Sequence, residues 1–210
     1  MLDTPGVSAS GGGLAGLASL TAESLFEKQR SFRTNDVARA RADIERVFFR
    51  HSLSRALGED SLQFCHRGAR LWRTSFNYIR YGSDVQVSVD YVDRDQFIAV
   101  IPLSGQAEVD YLGRMRPIAR GQYVVLDPMA PFRFRMSADH CHLAIGVPAA
   151  LFRERSGAAT TSSSGLHAWT CGPRTLEEAG GALIDYIAYL CKQLDQPVTH
   201  LSAPPVARSV

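Results

Sequence analysis

Lysine is almost missing from this chain. Of 23 basic residues only Lys28 and Lys192 are lysines, which leaves 21 arginines. That skew reflects base composition more than function. Net charge is scarce as well: 23 basic against 21 acidic residues give +2, too balanced to advertise a nucleic-acid-binding surface. The four cysteines, Cys65, Cys141, Cys171 and Cys191, form no CxxC pair. Their wide spacing excludes a disulfide frame or a zinc ribbon and reads as buried free thiols. No run approaches the roughly 20 apolar residues that span a bilayer. The first charge is Asp3, and the apolar stretch Leu14 to Leu20 is broken by Gly16 and Ser19, so a signal peptide is not expected. The reading is a cytoplasmic protein without a membrane partner. GxxxxGKS/T, GxGxxG after a strand, GxSxG and HExxH are all missing, which removes the commonest nucleotide-binding, serine-hydrolase and zinc-protease signatures.

What is present is an ordinary globular composition. Hydrophobic residues make up 45% and charged residues 21% of 210, enough to bury a core without covalent staples. Residues 1–22, rich in Gly, Ser and Ala, read as a flexible arm. From Thr34 the apolar residues Val37, Ala40, Ile44, Val47 and Phe48 recur at helical spacing, with Asp36 in the first turn. The spacing predicts an amphipathic helix ending near Arg50. From Leu62 to Val147 the pattern is β. Val85, Val87 and Val89 alternate with polar residues, as do Phe132, Phe134 and Met136, while Phe97 to Ile101 is continuously apolar. Turn residues at Gly82, Gly105, Gly113, Gly121 and Asp127-Pro128 separate the runs. About eight short strands without helical crossovers predict an antiparallel barrel or jelly roll. The helix plus barrel fill residues 23–155, and a mobile loop follows over 156–174.

Residues 175–194 read as a helix opened by a Thr175/Glu178 capping box. Leu176, Ala179, Leu183, Ile187, Leu190 and Leu194 form a stripe that Ile184, Tyr186, Ala188, Tyr189 and Cys191 widen. A helix apolar on more than one side is buried on more than one side. One side packs on the barrel; the other meets either a partner chain or its own.

Candidate chemistry is limited. His140 and His142 straddle Cys141 in the last predicted strand, so both imidazoles face one way, as two metal ligands or two ordinary strand histidines. A third ligand is required, and His66 is conceivable. Trp72, Phe76 and Tyr78 lie at even spacing in one predicted strand and share a face, lining an apolar ligand cavity or simply the core. Arg67, Arg70, Arg73 and Arg80 surround that strand, and any of them can clamp a carboxylate.

The stretch from Phe32 to Val147 resembles the N-terminal, effector-binding domain of AraC/XylS-type transcriptional regulators, in its XylS-like branch. The segments that carry the likeness come in the family's order: SFRTNDVARARADIERVFFRHSL (Ser31 to Leu53), FNYIRYGSDVQVS (Phe76 to Ser88), FIAVIPLSGQAEV (Phe97 to Val109) and ARGQYVVLDPMAPFRFRMSADHCHLAIGVP (Ala119 to Pro148). Arg120 departs from the proline the family favours before Gly121. The resemblance implies an α+β fold: a cupin-like antiparallel barrel (jelly roll) with flanking helices, including a C-terminal dimerisation-type helix. It implies a pocket for a small inducer, aromatic or carboxylate-bearing, no catalysis and no cofactor or metal.

On that reading the chain is a sensing and dimerisation domain. Its effector contacts are Trp72, Phe76, Tyr78, Arg70, Arg80 and His66 by strand parity. Its homodimer contacts are Leu183, Ile184, Ile187, Leu190, Cys191 and Leu194. Residues 175–210 hold the dimerisation helix and a linker that stops short, so DNA is reached only through a helix-turn-helix domain expected beyond Val210. Two alternatives remain at this stage: a metal-dependent cupin-type enzyme using His140 and His142, and a non-catalytic interaction module with a packed barrel.

Overall fold

A computed structural model describes residues 26–56, 61–90, 96–111, 113–126, 130–150 and 173–176. The described chain opens with β1 (Phe32–Thr34) and α1 (Val37–Val47), followed by β2 (Ser52–Arg55). The β-rich stretch then holds β3 (Phe64–Leu71), β4 (Thr74–Arg80), β5 (Val85–Val89), β6 (Gln96–Ser104), β7 (Ala107–Tyr111), β8 (Arg114–Ile118), β9 (Gln122–Leu126), β10 (Phe132–Met136) and β11 (Cys141–Pro148). A short β12 (Arg174–Thr175) adds an edge.

The strands form two antiparallel sheets, ordered β1-β3-β4-β11-β6-β9-β12 and β2-β5-β10-β7-β8. This is the antiparallel jelly roll that the strand pattern predicts, and it fits the cupin-like barrel that the resemblance implies. Burial explains why the strands read differently as sequence. In the five-stranded sheet β5 and β10 alternate between buried and accessible residues, because one face meets solvent. In the seven-stranded sheet β6 and β11 are buried on both faces, which favours the continuous apolar runs seen there. One core lies between the sheets, with Phe64, Ile79, Val87, Val100, Val109, Phe132 and Phe134 among its members. A second lies on the outer face of the larger sheet and joins Phe26, Phe76, Tyr78, Ile101, Leu143 and Leu176.

Helix α1 is capped by Asp36, whose Oδ1 accepts the Arg39 amide at 2.8 Å. Asp36 is therefore the N-cap rather than a first-turn acid. The helix stops at Val47 with Phe48 as its C-cap, short of Arg50. Gln96 takes over there: its side-chain amide donates to the Val47 and Phe48 carbonyls, each at 3.1 Å, satisfying orphan acceptors of the last turn. Gly105, at φ 69°, makes the β6–β7 turn; a Cβ there would collide with the His140 backbone.

Thr175, expected to cap a helix, lies in β12, paired with Gln122. The helix expected through residue 194 beyond Leu176, the six dimer-contact candidates, the arm over 1–22 and the loop expected over 156–174, except for its last two residues, of which Arg174 lies in β12, fall outside the described residues. Among the described residues no helix is long and apolar enough to cross a membrane.

Candidate functional site

A cleft of about 1040 Å³ opens between α1, β1 and one face of the β3–β4 hairpin. Strand parity decides which residues reach it. His66, Gly68 and Arg70 of β3 pair with Ile79, Asn77 and Ser75 of β4. Directly paired residues share a face of a sheet, and Ile79 belongs to the core between the sheets. The cleft therefore sits on the inner face of the larger sheet, at the end that α1 covers.

Its floor is polar and closely fitted. His66 Nδ1 lies 2.6 Å from Asp43 Oδ2, and His66 Nε2 lies 3.1 Å from Asn77 Oδ1. The Asn77 amide nitrogen donates to Ser75 Oγ at 3.1 Å and to the Ala144 carbonyl at 3.3 Å. A backbone carbonyl only accepts, so the amide is oriented with Oδ1 toward His66. Both His66 nitrogens then face acceptor oxygens. The other Asp43 oxygen accepts from the Arg46 guanidinium at 2.5 Å. Two glycines leave room for this floor. A Cβ on Gly68 would lie 2.7 Å from Asn77 Oδ1, and one on Gly146 would lie 2.7 Å from Ser75 Oγ.

The rim is cationic. Arg30, Arg33, Arg39, Arg46 and Arg70 line the cleft, against one acid, Asp43, among the described residues. Arg30, Arg33 and Arg70 make no ion pair within the described residues. Arg39 lies over the Phe32 ring, 5.9 Å from its centre. Phe32 and Val47 give the cleft an apolar side. Such a cavity concentrates small anions and offers bidentate carboxylate contacts.

The structure divides the six effector candidates. His66 and Arg70 line the cleft. Phe76, Tyr78 and Arg80 occupy the alternate parity of β4, and Phe76 and Tyr78 pack in the outer-face core. Tyr78 stacks under the Arg67 guanidinium at 4.6 Å, and burial, reinforced by the neighbouring Cys141 thiol, pushes its hydroxyl up to about 12. Trp72 is not in the strand: it takes φ 54° in the β3–β4 turn and is 83% exposed. The expected row of three aromatics on one strand is thus broken at its first member. The sequence reading missed Asp43 and Asn77. Both left a trace: Asp43 falls on the apolar stripe of α1 between Ala40 and Val47, and Asn77 stands between two buried aromatics.

His140 and His142 do come together, with ring centres 5.2 Å apart and Phe134 about 6 Å from each. His140 precedes β11 rather than lying in it. Both are buried, and among the described residues neither nitrogen of His140 nor Nδ1 of His142 has a hydrogen-bond partner. Burial lowers His140 to about 4, although the Asp139 charge and the nearby Ser104 carbonyl oppose it. Burial also holds His142 well below its ordinary value, helped by His140. These are neutral core rings. Among the described residues no group of three His, Cys, Asp or Glu side chains could hold a metal ion; His66 is taken up by Asp43 and Asn77. Cys65 and Cys141 are buried free thiols, as expected.

Residues 40–210 match the family described as the AraC-binding-like domain. Among solved structures, the AraC-like transcriptional activator CuxR is similar over 84% of this chain and 73% of its own, with a TM-score of 0.52 and 13% identity. At that identity the likeness is one of fold. The Schizosaccharomyces pombe Cnp3 cupin domain is similar over 50% of this chain and 79% of its own, at 8% identity and a TM-score of 0.37. A Cupin_2 domain of an XRE family transcriptional regulator from Enterobacter cloacae is similar over 40% of this chain and 97% of its own, at 17% identity and a TM-score of 0.34. No curated protein matches the chain.

Proposed function

The chain belongs to the AraC-binding-like domain family, and we propose that it senses a small carboxylate-bearing molecule on behalf of a transcriptional regulator. The observation that carries this reading is the cleft under α1, with five arginines at its rim and the Asp43–His66–Asn77 floor beneath them. Arg70 and His66 keep the effector-contact role that the sequence suggested, now joined by Arg46 and Asn77. The apolar side made by Phe32 and Val47 suits an aromatic or alkyl body behind the acid group. Catalysis forms no part of the reading. A homodimer joined through Leu183, Ile184, Ile187, Leu190, Cys191 and Leu194 belongs to the same proposal.

Calorimetric titration with benzoate and its neutral isostere benzamide tests the site. Benzoate is expected to bind and benzamide to bind at least about tenfold more weakly, since a charge-assisted bidentate pair supplies the difference. Arg46→Ala is expected to weaken benzoate by roughly tenfold without changing the response to benzamide. Equal binding of the two compounds, or indifference of benzoate to Arg46→Ala, contradicts the reading.

A further inference from the structure

Asp43 is an unusual occupant of its position. It lies on the apolar stripe of α1, buried with Ala40 and Ile44, the other two fully buried residues of the helix. A carboxylate there is expensive unless its partners compensate for the lost water. The partners are His66 through Oδ2 and Arg46 through Oδ1. All three residues line the cleft, and Asp43 is the one acid among its described lining residues. The imidazole at the floor of an anion-attracting cleft and one guanidinium of its exposed rim are therefore already held by a carboxylate that belongs to the helix.

We infer that Asp43 stands in for the effector's carboxylate. This inference rests on the carboxylate-sensing reading above and adds how the site is wired. An incoming carboxylate takes the place of Asp43 on His66 and Arg46, and Asp43 turns out toward the rim, where Arg30, Arg33 and Arg39 receive it. The exchange conserves charge pairs, so it proceeds without leaving a buried ion unpaired. It also removes one of the contacts that fix α1 to the barrel. The C-terminal end of the helix stays clamped by Gln96 on the Val47 and Phe48 carbonyls. The remainder, packed on the core through Val37, Ala40 and Ile44, loosens about that clamp. Ligand chemistry is thereby converted into the position of one helix, and the internal carboxylate lowers apparent affinity by the fraction of sites it occupies.

The test compares benzoate binding by the full chain, by Asp43→Asn and by Glu45→Gln. The last removes a neighbouring charge of α1 that pairs with Arg41 and does not line the cleft. Asp43→Asn is expected to bind benzoate roughly tenfold more tightly, because the competitor is gone, and Glu45→Gln to stay within about twofold of the unaltered protein. If Glu45→Gln tightens binding as much as Asp43→Asn, the gain is general charge and the exchange is overturned. If the unaltered protein prefers benzoate to benzamide but Asp43→Asn binds no more tightly, the exchange is overturned while the sensing reading stands. If neither protein prefers benzoate, both fall. Should Asp43→Asn not fold, amide hydrogen exchange of the unaltered protein decides: saturating benzoate is expected to lower protection in α1, and unchanged or increased protection there overturns the exchange.

Discussion

Asn77 is the residue on which the floor of the cleft depends most. One side chain accepts from His66 and donates to Ser75 Oγ and the Ala144 carbonyl, all within a nearly dry layer. Removing it leaves a buried ring N–H of His66 without an acceptor and a hydroxyl and a carbonyl short of a donor. Asn77→Ala is therefore expected to destabilise the fold by about 1–3 kcal/mol, read from urea unfolding. A loss within a few tenths of a kcal/mol means that water replaces the amide and the floor is not closed. The same residue shows what sequence could and could not reveal. Asn77 is a polar residue between buried Phe76 and Tyr78, so its special place was visible in principle. Parity alone could not say which face of β4 carries the site, because both faces of that strand are buried. The aromatic row drew attention to the outer face, and the cleft-lining groups are the plainer residues between.

At the scale of elements, α1 was legible from its apolar period, and its limits followed from side chains that the period does not report. Asp36 caps the helix through the Arg39 amide, and Asp36→Ala is expected to cost about 1 kcal/mol. That loss is measurable as a lowered unfolding midpoint. Because the cap anchors the half of α1 that the exchange of Asp43 is to loosen, the same variant is expected to increase amide exchange in the first turns of α1 ahead of the strands. Uniform exchange across helix and strands would mean that α1 is not an independent unit. The longer strands were readable for opposite reasons: β5 and β10 alternate because one face meets water, and β6 and β11 are continuous because neither face does. The short edges β1, β2 and β12 run for 3, 4 and 2 residues, too few for a period to show. The turn at Trp72 was hidden for another reason. A large aromatic at positive φ is the residue a turn least favours, and nothing in its neighbours Leu71 and Arg73 marks a turn.

For the whole molecule, the near-neutral charge of +2 conceals an uneven arrangement, with five arginines gathered about one cleft. It also conceals two histidines kept neutral in the core. His140 is lowered from 6.5 to about 4, and His142 well below 6.5, in both cases chiefly by burial. Above pH 6.5 these rings are neutral whether the chain is folded or not, so their effect on stability is constant. Below it the unfolded chain takes up protons first, and stability falls as pH drops toward 4, by about 3 kcal/mol for His140 alone. Unfolding free energies measured from pH 7 to 4 are expected to decline along this course. The double substitution His140→Leu with His142→Leu is expected to flatten the decline, leaving the smaller contribution of buried His51; an unchanged slope would show that the two rings are not held neutral. Carboxylate sensing requires a small acid to sit in the cleft under α1. A crystal structure of the chain grown with benzoate tests this most directly. It is expected to show the carboxylate within hydrogen-bond distance of His66 or Arg46 and the ring against Phe32 in the cleft under α1. Benzoate seated on the outer face beside Phe76 and Tyr78, or no benzoate in the cleft at saturating concentration, would contradict it.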